Sequence, residues 1–210
     1  CGNCLMSYEQ HLCILCRTMM PQTRFHRHKE NRLSGIFWGR QTIETGTALY
    51  YFHKGGKVQR VIHNFKYKGN IALGHYLGQK LGQNLANSDL YRPVNCVIPV
   101  PLHPDKERIR GFNQSAVIAN GIAESMKIEC RTDLLIRSQH TETQTKKDRL
   151  QRWQNVSSVF ETPNPALLER KSVLLVDDVV TTGATLEACV EVLLRVSGTK
   201  VWIATLALTD

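Results

Sequence analysis

Apolar residues recur at helical spacing in several stretches of the chain. The clearest stretch has apolar residues at i, i+3, i+4 and i+7, namely Val58, Val61, Ile62 and Phe65. This pattern predicts an amphipathic helix with one buried face, and Gly69 marks its expected end because glycine favours the position after a helix. The same pattern predicts three further helices, over 71–85, 113–126 and 184–196.

Apolar runs between these helices predict β-strands. The strongest candidates occupy 47–53, 95–102, 172–177 and 200–209, and two shorter runs occupy 133–138 and 157–162. Runs that are apolar at nearly every position are typical of parallel strands buried on both faces, and strands that alternate with helices indicate right-handed crossovers. The chain is therefore predicted to be an α/β protein with a parallel sheet, whose ligands bind at the carboxyl ends of the strands.

Candidate chemistry lies at the end of the apolar run over 172–177. Two adjacent carboxylates stand there, Asp177 and Asp178. A turn of small and hydroxyl-bearing residues follows, consisting of Thr181, Thr182, Gly183, Ala184 and Thr185. A helix that begins at 184 presents free backbone N–H groups and the positive end of its dipole, which suits a phosphate monoester. The acids can accept hydrogen bonds from ribose hydroxyls or hold the sugar through Mg²⁺. The pattern predicts a ribose 5-phosphate site.

Three other interpretations use similar residues. The acid pair of a nucleoside triphosphatase would need a GxxxxGK[ST] loop, which the chain lacks. A phospho-acceptor site also uses adjacent acids, but it does not need the hydroxyl-rich turn. A strand-to-helix turn without any ligand is the third interpretation, and it stays open.

The cysteines point to a metal. Four of the seven form two CxxC pairs near the N-terminus: Cys1, Cys4, Cys13 and Cys16. Two such turns can aim four thiolates at one point, and this tetrahedral set of soft ligands suits structural zinc. Disulfides in an exported chain and an iron–sulfur cluster remain alternatives. We expect a zinc module with a basic linker over 1–35 and a main domain over 36–210.

The formal net charge is +9, and most of the excess lies in the first part of the chain. Residues 1–75 carry 11 Lys and Arg against 3 acidic residues, whereas residues 156–210 carry 4 against 7. This excess favours a polyanionic partner such as nucleic acid. The polar segment 17–35 is interpreted as a linker, as a nucleic-acid-binding arm or as part of a hood over the main domain. It supplies the DNA-binding candidates Arg24, Arg27 and Lys29.

No stretch approaches the roughly 20 consecutive apolar residues that a membrane-spanning helix needs, and the first residues do not resemble a signal peptide. A cytoplasmic protein without a membrane span is therefore expected. Recruitment to the inner face of the membrane is compatible with this expectation.

The stretch VLLVDDVVTTGAT resembles the phosphoribosyl diphosphate (PRPP) motif of type I phosphoribosyltransferases. Three further segments, FKYKGNIALGHYLG, IPVPLHPDKERIRGFNQSAVIA and QTKKDRLQRWQNVSSVF, are similar to the ComF family. Members of that family pair a short zinc module with a phosphoribosyltransferase-like domain, and they are associated with DNA uptake in natural transformation. The resemblance implies the same fold, a structural zinc ion, and a PRPP site where Asp177 and Asp178 hold Mg²⁺ through the ligand.

The resemblance also assigns two basic regions. It implies a pyrophosphate loop that includes Pro101, Leu102, His103, Arg108 and Arg110. The polar segment 139–155 stands where catalytic relatives have a loop that closes over the ligand. Its side chains are alternatively contacts for a nucleic-acid backbone or the surface of an exposed helix. The candidates in this segment are Lys146, Lys147, Arg149 and Arg152.

Two functions compete. The leading prediction is a ComF-like accessory protein of natural transformation that handles incoming single-stranded DNA, binds PRPP or a related sugar phosphate, and cooperates with a DNA-uptake helicase or other competence proteins. The alternative is an active phosphoribosyltransferase with an unknown acceptor. Purine-salvage relatives use an acidic residue as a base three positions after the second acid, and Thr181 stands there in this chain. No catalytic residue is therefore predicted.

Overall fold

The structure is a computed structural model that describes residues 5–7, 9–137 and 159–209. Within these ranges the α-helices are α1 (Ile14–Met19), α2 (Arg32–Gly35), α3 (Lys57–Tyr67), α4 (Ile71–Ala86), α5 (Pro104–Arg110), α6 (Gln114–Met126) and α7 (Ala184–Leu194). The β-strands are β1 (Thr45–Phe52), β2 (Cys96–Pro99), β3 (Glu129–Cys130), β4 (Ile136–Arg137), β5 (Phe160–Glu161), β6 (Ser172–Val180) and β7 (Lys200–Thr209). Short 3-10 turns lie at Phe25–Arg27, Asp89–Tyr91 and Pro165–Leu167.

Five strands form one parallel sheet in the order β1-β7-β6-β2-β3. The predicted α/β fold with a parallel sheet is confirmed. The two weaker strand candidates contribute differently, because β4 and β5 pair antiparallel with each other in a separate two-stranded sheet. Residues 138, 157 and 158 of those candidates lie outside the described residues.

Helices cover both faces of the sheet, which explains the continuous apolar runs. Successive residues of β6 point to opposite faces. Leu174 and Val176 pack in the cluster formed with α3, α4 and α6, whereas Val173 and Leu175 pack in the cluster formed with α7. Strands buried on both faces need apolar side chains at every position. Among the described residues, no helix combines the length and apolar character needed to cross a membrane.

Close contact between α4 and α6 fixes the start of α6 at the carboxyl edge of the sheet. A Cβ atom at Gly78 would lie 2.3 Å from the carbonyl oxygen of Ile118, and one at Gly121 would lie 2.4 Å from that of His75. Only glycine permits this approach of the two backbones. The N-terminal turn of α6 is thereby held beside the end of β6.

The N-terminal segment (residues 9–37) wraps around the outer edge of β1. Its residues 21–23 run antiparallel to that strand, with Thr23 N–H donating to the Leu49 carbonyl and Tyr51 N–H donating to the Pro21 carbonyl. The apolar side chains before and after this crossing enter opposite core clusters. The described part of the basic segment therefore packs on the domain, and the division proposed at residue 35 stays a prediction.

Candidate sugar-phosphate site

The two adjacent acids lie inside β6, near its carboxyl end. The strand was expected to end at residue 177 but continues to Val180, because its last residues still pair with β7. Its other neighbour, β2, ends at Pro99 opposite Val176. The strand edge beyond Val176 is therefore open toward the loop that follows β2. Asp178 contacts Lys66 of α3, whereas Asp177 contacts Ser115 at the start of α6.

Asp177 is half-buried and tightly held. Its Oδ1 atom accepts a hydrogen bond from Ser115 Oγ at 2.9 Å and another from the backbone N–H of Asp178 at 2.8 Å. Burial, and after it the neighbouring charge of Asp178, together raise the pKa of its carboxyl group to about 7. The ionisation of a carboxyl group with such a pKa changes strongly when a ligand or cation binds next to it.

Asp178 has a partner that sequence reasoning missed. Lys66, in the last turn of α3, places Nζ 2.8 Å from Asp178 Oδ2, and both side chains are largely buried, with exposed fractions of 19% and 13%. The two residues stand 112 positions apart, so no local pattern links them. The only sequence signal was a lysine at the end of an amphipathic helix, where cations are common because they favour the helix dipole.

The turn after β6 forms the predicted cradle. Gly183 adopts a left-handed conformation with φ of 81° and precedes α7, whose first turn receives no side-chain cap from it. Thr182 Oγ1 accepts only a long hydrogen bond of 3.5 Å from Ala184 N–H. An open pocket of about 50 Å³ lies here, lined by Asp177 and residues 179–186. Free N–H groups, hydroxyls and the helix dipole together suit a phosphate monoester.

We expect Gly183→Ala to lower the free energy of unfolding by about 2–3 kcal/mol, or the melting temperature by roughly 5–10 °C. A Cβ atom there would lie 2.8 Å from Ile36 Cγ2, and the positive φ adds backbone strain. Gly55→Ala is the matched control, because Gly55 has φ of 78° but open space around the added atom. Thermal unfolding of both variants measures the difference, and equal losses would show that Ile36 simply moves aside.

The loop predicted to bind pyrophosphate is short. Val100 N–H donates to the Val176 carbonyl, and α5 begins after Pro101, Leu102 and His103. The predicted basic residues of this region lie in that helix instead of a loop, because His103 Nδ1 caps it by accepting from Asp105 N–H at 3.2 Å. Pro101, Leu102 and His103 remain at the carboxyl edge, beside the acids.

The two predicted arginines of this region diverge. Arg108 is 82% exposed beside Asp105, with 3.7 Å between the charged groups. Arg110 turns back toward the domain, where its guanidinium stacks on the Tyr67 ring and donates to Gln114 Oε1 at 3.0 Å. The structure therefore brings Arg110 toward the α3 side of the acid pair and leaves Arg108 at the solvent-exposed surface.

Two residues of the Gly111-Phe112-Asn113-Gln114 stretch have structural roles. Asn113 Oδ1 caps α6 by accepting from Ser115 N–H, while its Nδ2 donates to the Val100 carbonyl at the end of β2. Asn113 is thus the N-cap of α6. Phe112 packs against Phe65 of α3, with 5.7 Å between ring centroids. These contacts lock α3, α6 and β2 around the acid pair.

The three DNA-binding candidates of the N-terminal segment lie away from this site. Arg24, Arg27 and Lys29 are exposed. The Lys29 carbonyl accepts from Thr45 Oγ1 at the start of β1, and the His26 carbonyl accepts from Ser88 Oγ ahead of β2. Both contacts place this group toward the amino end of the sheet, opposite the acids. The other predicted nucleic-acid contacts lie outside the described residues: Lys146, Lys147, Arg149 and Arg152.

The described half of the four-cysteine set fits a metal ion. Cys13 and Cys16 are both buried, and Cys13 Sγ accepts from the backbone N–H of Cys16 at 3.4 Å across the start of α1. Burial raises the pKa of Cys16, and Cys13 adds to the effect, so a nearby cation would favour the thiolate form. Cys1 and Cys4 lie outside the described residues. Within those residues there is no cluster of three or more metal-ligating side chains.

The part of the chain that carries the acid pair is similar to a known domain family. The sequence profile of the phosphoribosyl transferase domain family matches residues 113–209, which include the acid pair and the cradle. The match begins at the residue that caps α6 and ends at the last residue of β7.

Three relatives match longer parts of the chain. Competence protein F of Haemophilus influenzae is 32% identical over 152 residues, which cover 68% of this chain and 65% of that protein. DNA utilization protein YhgH of Escherichia coli is 29% identical over 108 residues, 50% of this chain and 47% of that protein. Competence protein ComFC of Bacillus subtilis is 28% identical over 139 residues, which cover 66% of this chain and 54% of that protein. The chain thus spans about half to two thirds of the length of these relatives.

Proposed function

The chain belongs to the ComF family of competence-related proteins with a phosphoribosyltransferase-like domain, and from this premise we propose that it is a cytoplasmic accessory protein of natural transformation. It binds incoming single-stranded DNA and carries a site for PRPP with Mg²⁺. The observation that carries the proposal is the acid pair at the open end of β6, next to the uncapped start of α7. The names of the relatives, which refer to competence and DNA utilization, support the role in DNA handling.

The geometry suggests how each part of PRPP would be held. The 5′-phosphate binds the N–H groups at the start of α7, and the ribose hydroxyls donate to Asp177 and Asp178. The diphosphate then extends toward residues 101–103 and Arg110, at the other border of the open strand edge. Bound Mg²⁺ would neutralise part of the diphosphate charge. The protein would hold both ends of the ligand in place across the end of β6.

Calorimetric titration of PRPP into the protein, with and without Mg²⁺, tests this site directly. We expect saturable binding that depends on the metal, because the acids and the diphosphate repel each other without it. If no heat of binding is observed in either condition, the proposed site is wrong, and the acid pair and the cradle have only a structural role.

The DNA-binding part of the proposal rests on the basic side chains near the amino end of the sheet. Arg24, Arg27 and Lys29 are exposed there. Trp38 stands nearby with an exposed fraction of 66%, and it lines the same open pocket of about 360 Å³ as Lys29. Cations that contact the phosphates and an aromatic ring that stacks on a base are the combination used to bind single strands without sequence preference.

We expect the triple variant Arg24→Gln/Arg27→Gln/Lys29→Gln to bind single-stranded DNA at least about tenfold more weakly near 0.1 M salt. The logarithmic salt dependence of its affinity should also flatten by about 2, since each lost phosphate contact on a single strand contributes about 0.7. Fluorescence anisotropy with a labelled oligonucleotide, repeated at several salt concentrations, measures both quantities.

A charge-matched variant at the opposite end of the sheet serves as the control. Lys54→Gln/Lys68→Gln/Lys106→Gln removes three exposed cations near the carboxyl ends of the strands. It should retain most of the affinity. If both triple variants lose affinity equally, the attraction is a property of the net charge and the assigned surface is wrong.

A phosphoribosyltransferase with an acceptor is the second candidate function, and one observation favours it. The carboxyl group of Asp177 has a pKa of about 7, in the range where a general base works best near neutral pH. Thr181, by contrast, is exposed and offers only a hydroxyl group. Release of pyrophosphate from PRPP in the presence of a panel of nucleophiles would support this function, and its absence with every acceptor would leave the binding role alone.

A further inference from the structure

We propose that Lys66 is a ligand-binding cation of the sugar-phosphate site, held by Asp178 in the ligand-free protein and transferred to the diphosphate when the site fills. The inference rests on the proposed function, because it assigns a residue to the same PRPP site. It adds a contact from α3, an element outside the strand and turn that carry the acids.

The ion pair of Lys66 lies at one of the two proposed ligand-binding acids. Lys66 Nζ lies 2.8 Å from Asp178 Oδ2, and both side chains are largely buried. Asp178 is one of the two acids to which the ribose hydroxyls would donate. A ligand that claims this carboxylate therefore competes with Lys66, and a half-buried ammonium group without its partner needs another anion.

Lys66 stands on the α3 side of the proposed site. Val176 packs in the cluster on the α3 face, and Asp178 pairs with Lys66 of α3. The phosphate cradle belongs to α7, so the 5′-phosphate occupies that side. A ligand that bridges the end of β6 then places its opposite end, the diphosphate, toward α3 and Lys66.

A second cation, Arg110, also lies on the α3 side of the site. Arg110 stacks on Tyr67, the residue that follows Lys66, and it is fixed by a hydrogen bond to buried Gln114. Two cations from different elements, α3 and α5, thus border the same region. A diphosphate carries several negative charges, and paired cations from two directions are suited to hold it.

The chemistry of lysine permits the transfer. Its ammonium group has three donors on a flexible four-carbon stem, and it can reorient without moving the backbone. A merely structural lysine would instead stay on Asp178 and only neutralise the acid pair. In that case its removal would disturb the acids and weaken every ligand that uses them, whether or not the ligand carries a diphosphate.

The test compares three probes that differ in their groups. Mg–PRPP has the sugar, the 5′-phosphate and the diphosphate; ribose 5-phosphate lacks the diphosphate; and Mg–pyrophosphate has the diphosphate alone. Affinity for PRPP is measured by calorimetry, and the other two are measured by competition against it. The proteins are the wild type, Lys66→Met, which retains the apolar stem, Lys66→Arg, which retains the charge, and Lys68→Met, which removes an exposed lysine next to α3.

We expect Lys66→Met to weaken PRPP and pyrophosphate by about tenfold or more, with ribose 5-phosphate changed by less than about twofold. Lys66→Arg should recover much of the loss, and Lys68→Met should match the wild type. Unchanged PRPP affinity in Lys66→Met, or an equal loss for ribose 5-phosphate, overturns the assignment while the proposed site stands. Failure of the wild type to bind PRPP overturns both.

Discussion

Replacing Asp177 and Asp178 together with asparagine is expected to weaken binding of Mg–PRPP by at least about 100-fold. Both carboxylates lie at the open end of β6, where the ribose hydroxyls would donate to them. A hydrogen bond to a charged group contributes about 1.5–3 kcal/mol, and the loss of two such bonds corresponds to a change of this size. Calorimetric titration of the variant beside the wild type measures it. An affinity within a few-fold of the wild type would show that the acids do not contact the ligand.

The single variant Asp177→Asn removes one of the two acids without breaking the ion pair between Lys66 and Asp178. Because the folded protein raises the pKa of this carboxyl from its ordinary range near 4 to about 7, ionisation of Asp177 destabilises the fold. The penalty is small at low pH, grows as the pH rises from about 4 to 7, and is complete above that. Allowing for its partial exposure, we expect Asp177→Asn to stabilise the protein at pH 8 by about 1–2 kcal/mol and to change little near pH 4.

Replacing Cys13 and Cys16 together with serine is expected to reduce bound zinc from about one ion per chain to almost none. The two thiols are buried side by side at the start of α1, and serine hydroxyls are poor ligands for this metal. Leu12 and Met20 belong to the core cluster on the α3 face, so the segment around them should loosen. Metal analysis measures the zinc, and hydrogen exchange over residues 9–20 measures the loosening.

The sheet provides its own core, so the same variant should still bind PRPP. Cys130→Ser is the matched control, because Cys130 lies half-buried in β3, outside the CxxC pairs, and its loss should leave the zinc content unchanged. A wild-type protein purified without zinc, or a double serine variant that retains it, would contradict the metal assignment.

The regular part of the fold could be predicted because its signals are local. The apolar face from Val58 to Phe65 and the run before Asp177 report burial within a few residues, and both became the expected elements. The acids and the cradle could be predicted for the same reason, since they form one continuous stretch at a strand end.

What could not be predicted depends on pairing between distant segments. Lys66 meets Asp178 only because α3 ends beside the carboxyl end of β6. The basic group around Lys29 lies at the amino end because residues 21–23 pair with β1 and direct the chain there. The α5 helix was missed because seven residues with an exposed Ile109 show no apolar face. The apolar pattern within a few residues carries no information about contacts between distant segments or about a short helix that has no apolar face.

The N-terminal segment also covers an edge of the sheet through which the protein could otherwise associate with other molecules. A border strand presents unpaired backbone groups that can recruit a strand from another molecule and begin aggregation. Residues 21–23 occupy those groups on β1, Asn31 Nδ2 donates to the Gly46 carbonyl farther along, and the opposite border consists of the two-residue strand β3. Because residues 21–23 follow α1 directly, the zinc ion that we propose at Cys13 and Cys16 would also help to keep the longest edge of the sheet covered. The cysteine pair would thereby limit self-association as well as anchor the first helix.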